Sequence, residues 1–69
     1  MRTHRQTEKR QATAKRAEEA KRIRVRMELA AMREAFIQTG RTFAEMGEAE
    51  IAGKKLEQAR LIGEALELL

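Results

Sequence analysis

Large apolar residues recur at helical spacing in two separate stripes along the chain. The first stripe runs from Val25 to Met46 in alternating steps of four and three residues, and the second runs from Ala52 to Leu69. This period places the side chains of each stripe on one face of an α-helix. Two stripes separated by a short break predict an all-α protein whose helices form an antiparallel hairpin. The stripes comprise Val25, Leu29, Met32, Phe36, Thr39, Phe43 and Met46, and then Ala52, Leu56, Ala59, Ile62, Leu66 and Leu69.

Two glycines are candidates for the bend between the stripes. Gly40 precedes a Thr-Phe-Ala-Glu run, which has the spacing of a helix-starting capping box. Gly47 suits a helix C-cap, and the acids that follow it favour the first turn of the next helix. The first stripe passes through Gly40 without a change of phase. We therefore favour a bend at Gly47, with helices of equal length at about 26–46 and 49–69, and keep Gly40 as the alternative.

The segment before the hairpin has no apolar face. Between Arg2 and Arg22 no hydrophobic residue is larger than Ala, although good helix formers dominate. We expect residues 1–25 to form a basic arm, which extends the first helix backward and frays toward its N-terminus because no packing stabilises it. The hairpin then occupies residues 26–69.

The charge changes sign along the chain near the same boundary. Residues 1–26 carry ten cations and three acids, whereas residues 27–69 carry five cations and eight acids, so that +7 and −3 give the net +4. Arg outnumbers Lys in the arm, and its planar guanidinium suits phosphate. This division indicates a polyanionic partner. The candidate nucleic-acid contacts are Arg2, Arg5, Lys9, Arg10, Lys15, Arg16, Lys21, Arg22, Arg24 and Arg26.

Aromatic, small and apolar residues around the favoured bend follow one another at intervals of four, three, four, five, four and three: Phe36, Gly40, Phe43, Gly47, Ala52, Leu56 and Ala59. This spacing resembles a tetratricopeptide repeat, a helical hairpin with aromatic and small residues at fixed intervals. The resemblance covers about 33–64, and it implies a closely packed hairpin that mediates protein contacts. Thr39 departs from the Leu usual in the family, no Pro closes the repeat, and there is one copy only. An unrelated hairpin that uses the same small residues is the alternative.

Residues that carry enzyme chemistry are scarce. The chain has no Cys, Ser, Tyr or Trp, and His4 is its only histidine. We therefore expect no catalytic residue, no metal site, no cofactor and no disulfide. No apolar run approaches the roughly 20 residues that cross a bilayer, and no apolar segment follows the basic start as in a secretory signal. These features predict a cytoplasmic protein, or a virion-associated one if the chain is of phage origin.

A chain this short buries little apolar surface, so we expect it to form a homo-oligomer or to join a complex. One hypothesis is a nucleic-acid-binding accessory protein whose hairpin self-associates and whose arm contacts DNA or RNA phosphates with weak sequence specificity. The other is a structural or adaptor subunit of a phage, plasmid or ribonucleoprotein type of assembly. An acidic protein surface is the remaining partner for the arm, and a membrane is not expected because the arm has nothing apolar to insert. The predicted hairpin or oligomer core is Val25, Leu29, Met32, Phe36, Gly40, Phe43, Met46, Gly47, Ala52, Leu56, Ala59, Ile62, Leu66 and Leu69.

Overall fold

The described part of the chain folds into two α-helices joined by a tight turn. The computed structural model describes the backbone of residues 4–69 and the side chains of residues 10–69. Helix α1 spans His4–Glu45 and helix α2 spans Ala49–Leu68, and no strand occurs in this described part. The predicted all-α helical hairpin is therefore confirmed.

Helix α1 is continuous through both the basic arm and the first half of the hairpin. Its 42 residues are rich in Ala, Glu, Lys, Arg and Gln, and no Pro interrupts its hydrogen bonds. A helix of this length spans about 63 Å, whereas the 20 residues of α2 span about 30 Å. The molecule consequently measures 71 × 15 × 10 Å, with the hairpin at one end and a bare helix at the other.

The turn between the helices lies at Gly47, the position that the sequence favoured over Gly40. Gly47 has a φ of +83°, a conformation that costs a residue with a Cβ far more than it costs glycine. Its N–H donates to the Ala44 carbonyl at 3.1 Å, and the Glu48 N–H donates to the Phe43 carbonyl at 2.9 Å. These two bonds form a Schellman motif, which satisfies the last carbonyls of α1.

The capping box suggested after Gly40 does not form. The Thr42 hydroxyl donates to the Gln38 carbonyl at 3.0 Å, which lies one turn earlier in the same helix. A threonine hydroxyl can make this bond inside a helix, where it caps no helix start. The helix therefore continues through Gly40 to Glu45.

The two helices meet closely through small residues. Gly40, Ala52 and Ala59 are buried. A Cβ added at Gly40 would lie 3.1 Å from the Leu56 side chain and 3.4 Å from the Ala52 carbonyl oxygen. In the described part of the chain no large side chain is fully buried, so the helices touch without enclosing a core of large residues.

Larger apolar residues lie half-buried along the edges of this contact. They begin at Val25, and every residue from 10 to 24 is exposed. The packing between helices thus ends close to the residue where the charge changes sign. The half-buried residues that the sequence had assigned to the core are Val25, Leu29, Phe36, Phe43, Ile62 and Leu66.

Candidate functional site

One side of the hairpin presents apolar residues from both helices, which we call the apolar face. Met32 and Thr39 of α1 and Met46, which directly follows α1, recur every seven residues. Two turns of helix bring such residues back to nearly the same side. Lys55 and Ile62 do the same in α2. A groove lined by residues of both helices connects these two sets of residues across the hairpin. The apolar face comprises Met32, Ala35, Phe36, Thr39, Met46, Ile51, Lys55, Ile62 and Leu69.

A groove of about 240 Å³ lies in the middle of the apolar face. Its lining is Met32, Ala35, Phe36 and Thr39 from α1 with Lys55 from α2. The Thr39 hydroxyl donates to the Ala35 carbonyl at 2.8 Å, so that its only donor hydrogen is used within the helix. The groove is therefore apolar apart from one cation.

Lys55 is the single charged residue of the apolar face. Its side chain is half-buried, and its Nζ lies 5.6 Å from the centre of the Phe36 ring, a cation–π contact. Its neighbour Lys54 lies 3.9 Å from Glu50, whereas Lys55 has no carboxylate partner within the described residues. The face thus combines apolar surface with one cation that no acid of its own hairpin neutralises.

The opposite side of the hairpin is charged and internally paired. Arg60 forms ion pairs with Glu57 and with Glu64, one turn away on either side. The hydrogen bond from Arg60 holds the pKa of the Glu57 carboxyl below its ordinary value. Arg33 crosses α2 at Gly63, where an added Cβ would lie 3.4 Å from the Arg33 Nε. This side is therefore charged and paired around Arg60, although Leu56, one helical turn before Arg60, is also 45% exposed there.

The second candidate surface is the basic arm, whose cations from Arg10 onward form no ion pair with an acid among the described residues. Seven cations occur between Arg10 and Arg26, and all of them are exposed. The structure records no ion pair among residues 10–26, so the favourable spacing of Glu18 and Arg22 does not close into a salt bridge. Of the other candidate contacts, Arg2 and the side chains of Arg5 and Lys9 lie outside the described residues. The described cations are Arg10, Lys15, Arg16, Lys21, Arg22, Arg24 and Arg26.

The candidate core residues fall into three groups by exposure. Three are buried and six are half-buried, as described above, and Gly47 lies in the exposed turn. The remaining four are exposed in the single chain, although periodicity assigned them to a hairpin or oligomer core. They are Met32, Met46, Leu56 and Leu69, with exposed fractions from 36% to 67%.

Sequence reasoning did not single out Lys55 or Gly63. Lys55 lies three residues after Ala52 and four before Ala59, so it shares their side of α2. Gly63 lies four residues after Ala59 and continues the same row of small residues. Their spacing thus indicates that both residues lie on the side of α2 that faces α1, but a stripe defined by large apolar residues does not include a lysine or a glycine.

Within residues 10–69 no three acidic or histidine side chains are grouped as a metal site. In the described part of the chain, neither helix has a stretch apolar enough to cross a membrane. Comparison with protein-family models, with curated proteins and with solved structures gives no match. Any function of this chain must therefore be inferred from the apolar face and the basic arm.

Proposed function

We propose that this protein is a non-enzymatic nucleic-acid-binding accessory protein, which self-associates through the apolar face and contacts phosphates through the basic arm. The observation that carries the proposal is the presence of both surfaces on one molecule. An uncovered apolar face lies on the hairpin, and a row of unpaired cations lies on the bare part of α1. A second copy of the chain can cover the apolar face, and the phosphates of a nucleic acid can neutralise the cations.

The exposed area supports self-association. The chain exposes 6222 Å². A compact monomer of this mass exposes about 4,400 Å², so the excess is about 1,800 Å². Part of that excess is the bare arm, and the apolar face contributes another part. An obligate dimer buries roughly 1,000–2,500 Å² on each subunit, which this excess can provide. A second copy would cover the apolar side chains that α2 leaves uncovered.

The electrostatics of the arm support a polyanionic ligand. Seven cations and two acids lie within residues 10–26, which span about 24 Å of helix. Neither Glu18 nor Glu19 forms an ion pair among the described residues, so that no cation of this segment is held by direct contact with an acid. Neutralising five or six phosphates would release condensed counterions and give a salt slope of about −4 to −5.

A structural or adaptor subunit is the second candidate, and the groove beside Lys55 favours it. An apolar groove with one unpaired cation suits a helix that presents apolar residues and an acid. The tetratricopeptide-like spacing is in keeping with this candidate, because members of that family mediate protein contacts. In this case the apolar face would be covered by another protein instead of by a second copy.

The experiment is a titration of labelled duplex DNA and of an RNA hairpin with the full chain across a salt series. The test variant replaces Arg22, Arg24 and Arg26 by Gln. We expect binding that weakens steeply with salt, and a shallower slope for the variant, since each lost phosphate contact removes about 0.9 from the slope on DNA. Circular dichroism checks that the variant keeps its helicity. Absence of binding to either probe at low salt would contradict the proposal.

A further inference from the structure

We infer that the polyanion bound by the basic arm is double-stranded DNA and that the arm lies in its major groove. The inference rests on the proposed function and names its ligand. It follows from the width of the arm and from the positions of its cations around the helix.

The arm is a narrow helix. Residues 10–24 are exposed on all sides, and no residue between Arg10 and Arg22 has an apolar side chain larger than that of Ala. The B-DNA major groove, about 12 Å wide, admits a helix of this kind. The major groove of duplex RNA is deep and narrow and does not admit a helix. The arm also lacks aromatic residues, which proteins that bind single strands use for stacking.

Six of the seven described cations form two rows on opposite flanks of the helix. Successive residues of a helix are turned by about 100°, which fixes the side that each residue occupies. Two flanks of cations match the two phosphate strands that border a major groove, whereas a flat acidic surface would need one row. The first row is Arg10, Lys21 and Arg24, and the second row is Lys15, Arg22 and Arg26.

The two sides between these rows differ in character. One side carries Ala12, Arg16 and Ala20, spaced four residues apart, together with Ile23, and we call it the inner side. Glu19 lies at its border with the second row. The small residues of the inner side allow close approach to base edges, and Arg16 is the side chain long enough to reach guanine acceptors. The other side, which we call the outer side, carries Ala14 and Glu18. Val25, which is half-buried at the end of the contact between the helices, lies on this same side, so the outer side is turned toward the hairpin and away from the DNA.

The test compares two variants that change the charge equally on opposite sides of the arm. Ala12→Glu places a carboxylate on the inner side, and Ala14→Glu places one on the outer side two residues away. Both are measured in the full chain by fluorescence anisotropy on a DNA duplex, an RNA duplex of the same sequence and the DNA single strand. Circular dichroism measures the helicity of both variants, because a glutamate at position 12 faces Arg16 and one at position 14 faces Glu18, so that binding is compared at known helix content.

We expect the unmodified chain to bind the DNA duplex about tenfold more tightly than the RNA duplex or the single strand. Ala12→Glu should weaken binding to duplex DNA several-fold more than Ala14→Glu does. Equal affinity for the three probes, a preference for RNA, or equal effects of the two variants would overturn the inference and leave nucleic-acid binding intact. Failure to bind any of the probes at low salt would instead overturn the proposed function.

Discussion

At Gly40 the absence of a side chain sets the distance between the helices. The contacts that an added Cβ would make there involve the Leu56 side chain and the Ala52 carbonyl. By contrast, a Cβ added at Gly53 would meet nothing within 4 Å. Both glycines lie inside helices, so each weakens its helix by about 1 kcal/mol relative to Ala.

These two glycines form a matched pair for a stability measurement. Gly53→Ala should stabilise the protein by about 0.5–1 kcal/mol, because the new methyl group raises helix propensity without a clash. Gly40→Ala gains the same propensity but must displace Leu56, so its free energy of unfolding should be lower than that of Gly53→Ala by about 1 kcal/mol. Urea denaturation at equal protein concentration measures both. Equal stabilisation by the two changes would mean that the helices do not cross closely at Gly40.

Lys55 gives a second residue-level prediction. A buried cation without an acid partner weakens an apolar interface, and replacing it by a residue of similar length removes that cost. Lys55→Met should therefore tighten self-association by about tenfold. Lys54→Met is the control, because Lys54 is exposed and faces Glu50. Sedimentation equilibrium gives both association constants, and no difference between the variants would place Lys55 outside the contact between copies.

Periodicity in the sequence identifies which residues share a face, but it does not identify what covers that face. Phe36 and Met32 satisfy the same spacing rule, yet Phe36 is half-buried against α2 and Met32 is 49% exposed. The difference depends on where α2 crosses α1, and this crossing is set by Gly40, Ala52 and Ala59. Glycine and alanine contribute little to a hydrophobic pattern. The sequence therefore suggests that the helices are in close contact, but it does not give the distance between them.

At the level of the elements, the turn was predictable because glycine has a conformational reason to be there. The spacing of a capping box after Gly40 offered a competing signal, and only the continuous stripe argued against it. In the structure the Thr42 hydroxyl donates to a carbonyl within α1, so Thr42 does not cap the start of a new helix. That the basic arm is helical was also predictable from its helix-forming residues. Where this helix begins was not predictable, because no packing contact marks its start.

Replacement of Gly47 tests the turn. Gly47→Ala should lower the free energy of unfolding by about 1 kcal/mol, because alanine at a φ of +83° is strained although nothing crowds it. The helix content at low temperature should stay the same, since both helices remain. Thermal unfolding followed by circular dichroism measures the change. A variant as stable as the parent would indicate that the turn relaxes to another conformation without cost.

The pairing of Glu57 with Arg60 predicts a pH dependence for α2. The pKa of Glu57 is lower in the folded chain than its ordinary value of 4.5, so the folded state favours the ionised carboxylate. The stabilisation is present above that ordinary pKa and is lost as the pH falls through the lowered value. Glu57→Gln should remove this part of the pH dependence of unfolding. Because both side chains are exposed, the effect should also shrink at high salt.

At the scale of the whole molecule, one pair of substitutions tests whether copies associate through the apolar face or through the charged side of the hairpin. Met32 lies on the apolar face, whereas Leu61 lies beside Glu57 and Glu64 on the charged side of the hairpin. Their exposed fractions are nearly equal, at 49% and 51%. A glutamate at either position therefore makes the same change in charge and nearly the same change in exposed apolar surface.

If copies of the chain associate through the apolar face, Met32→Glu should convert the oligomer to a monomer, because two carboxylates would be buried in the contact. Helicity should then fall, since the two-helix hairpin encloses no large side chain of its own. Leu61→Glu should leave both the mass and the helicity unchanged. Sedimentation equilibrium and circular dichroism over a dilution series measure these quantities. A parent chain that stays a helical monomer on dilution would show that the hairpin needs no partner, and equal effects of the two variants would place the contact elsewhere.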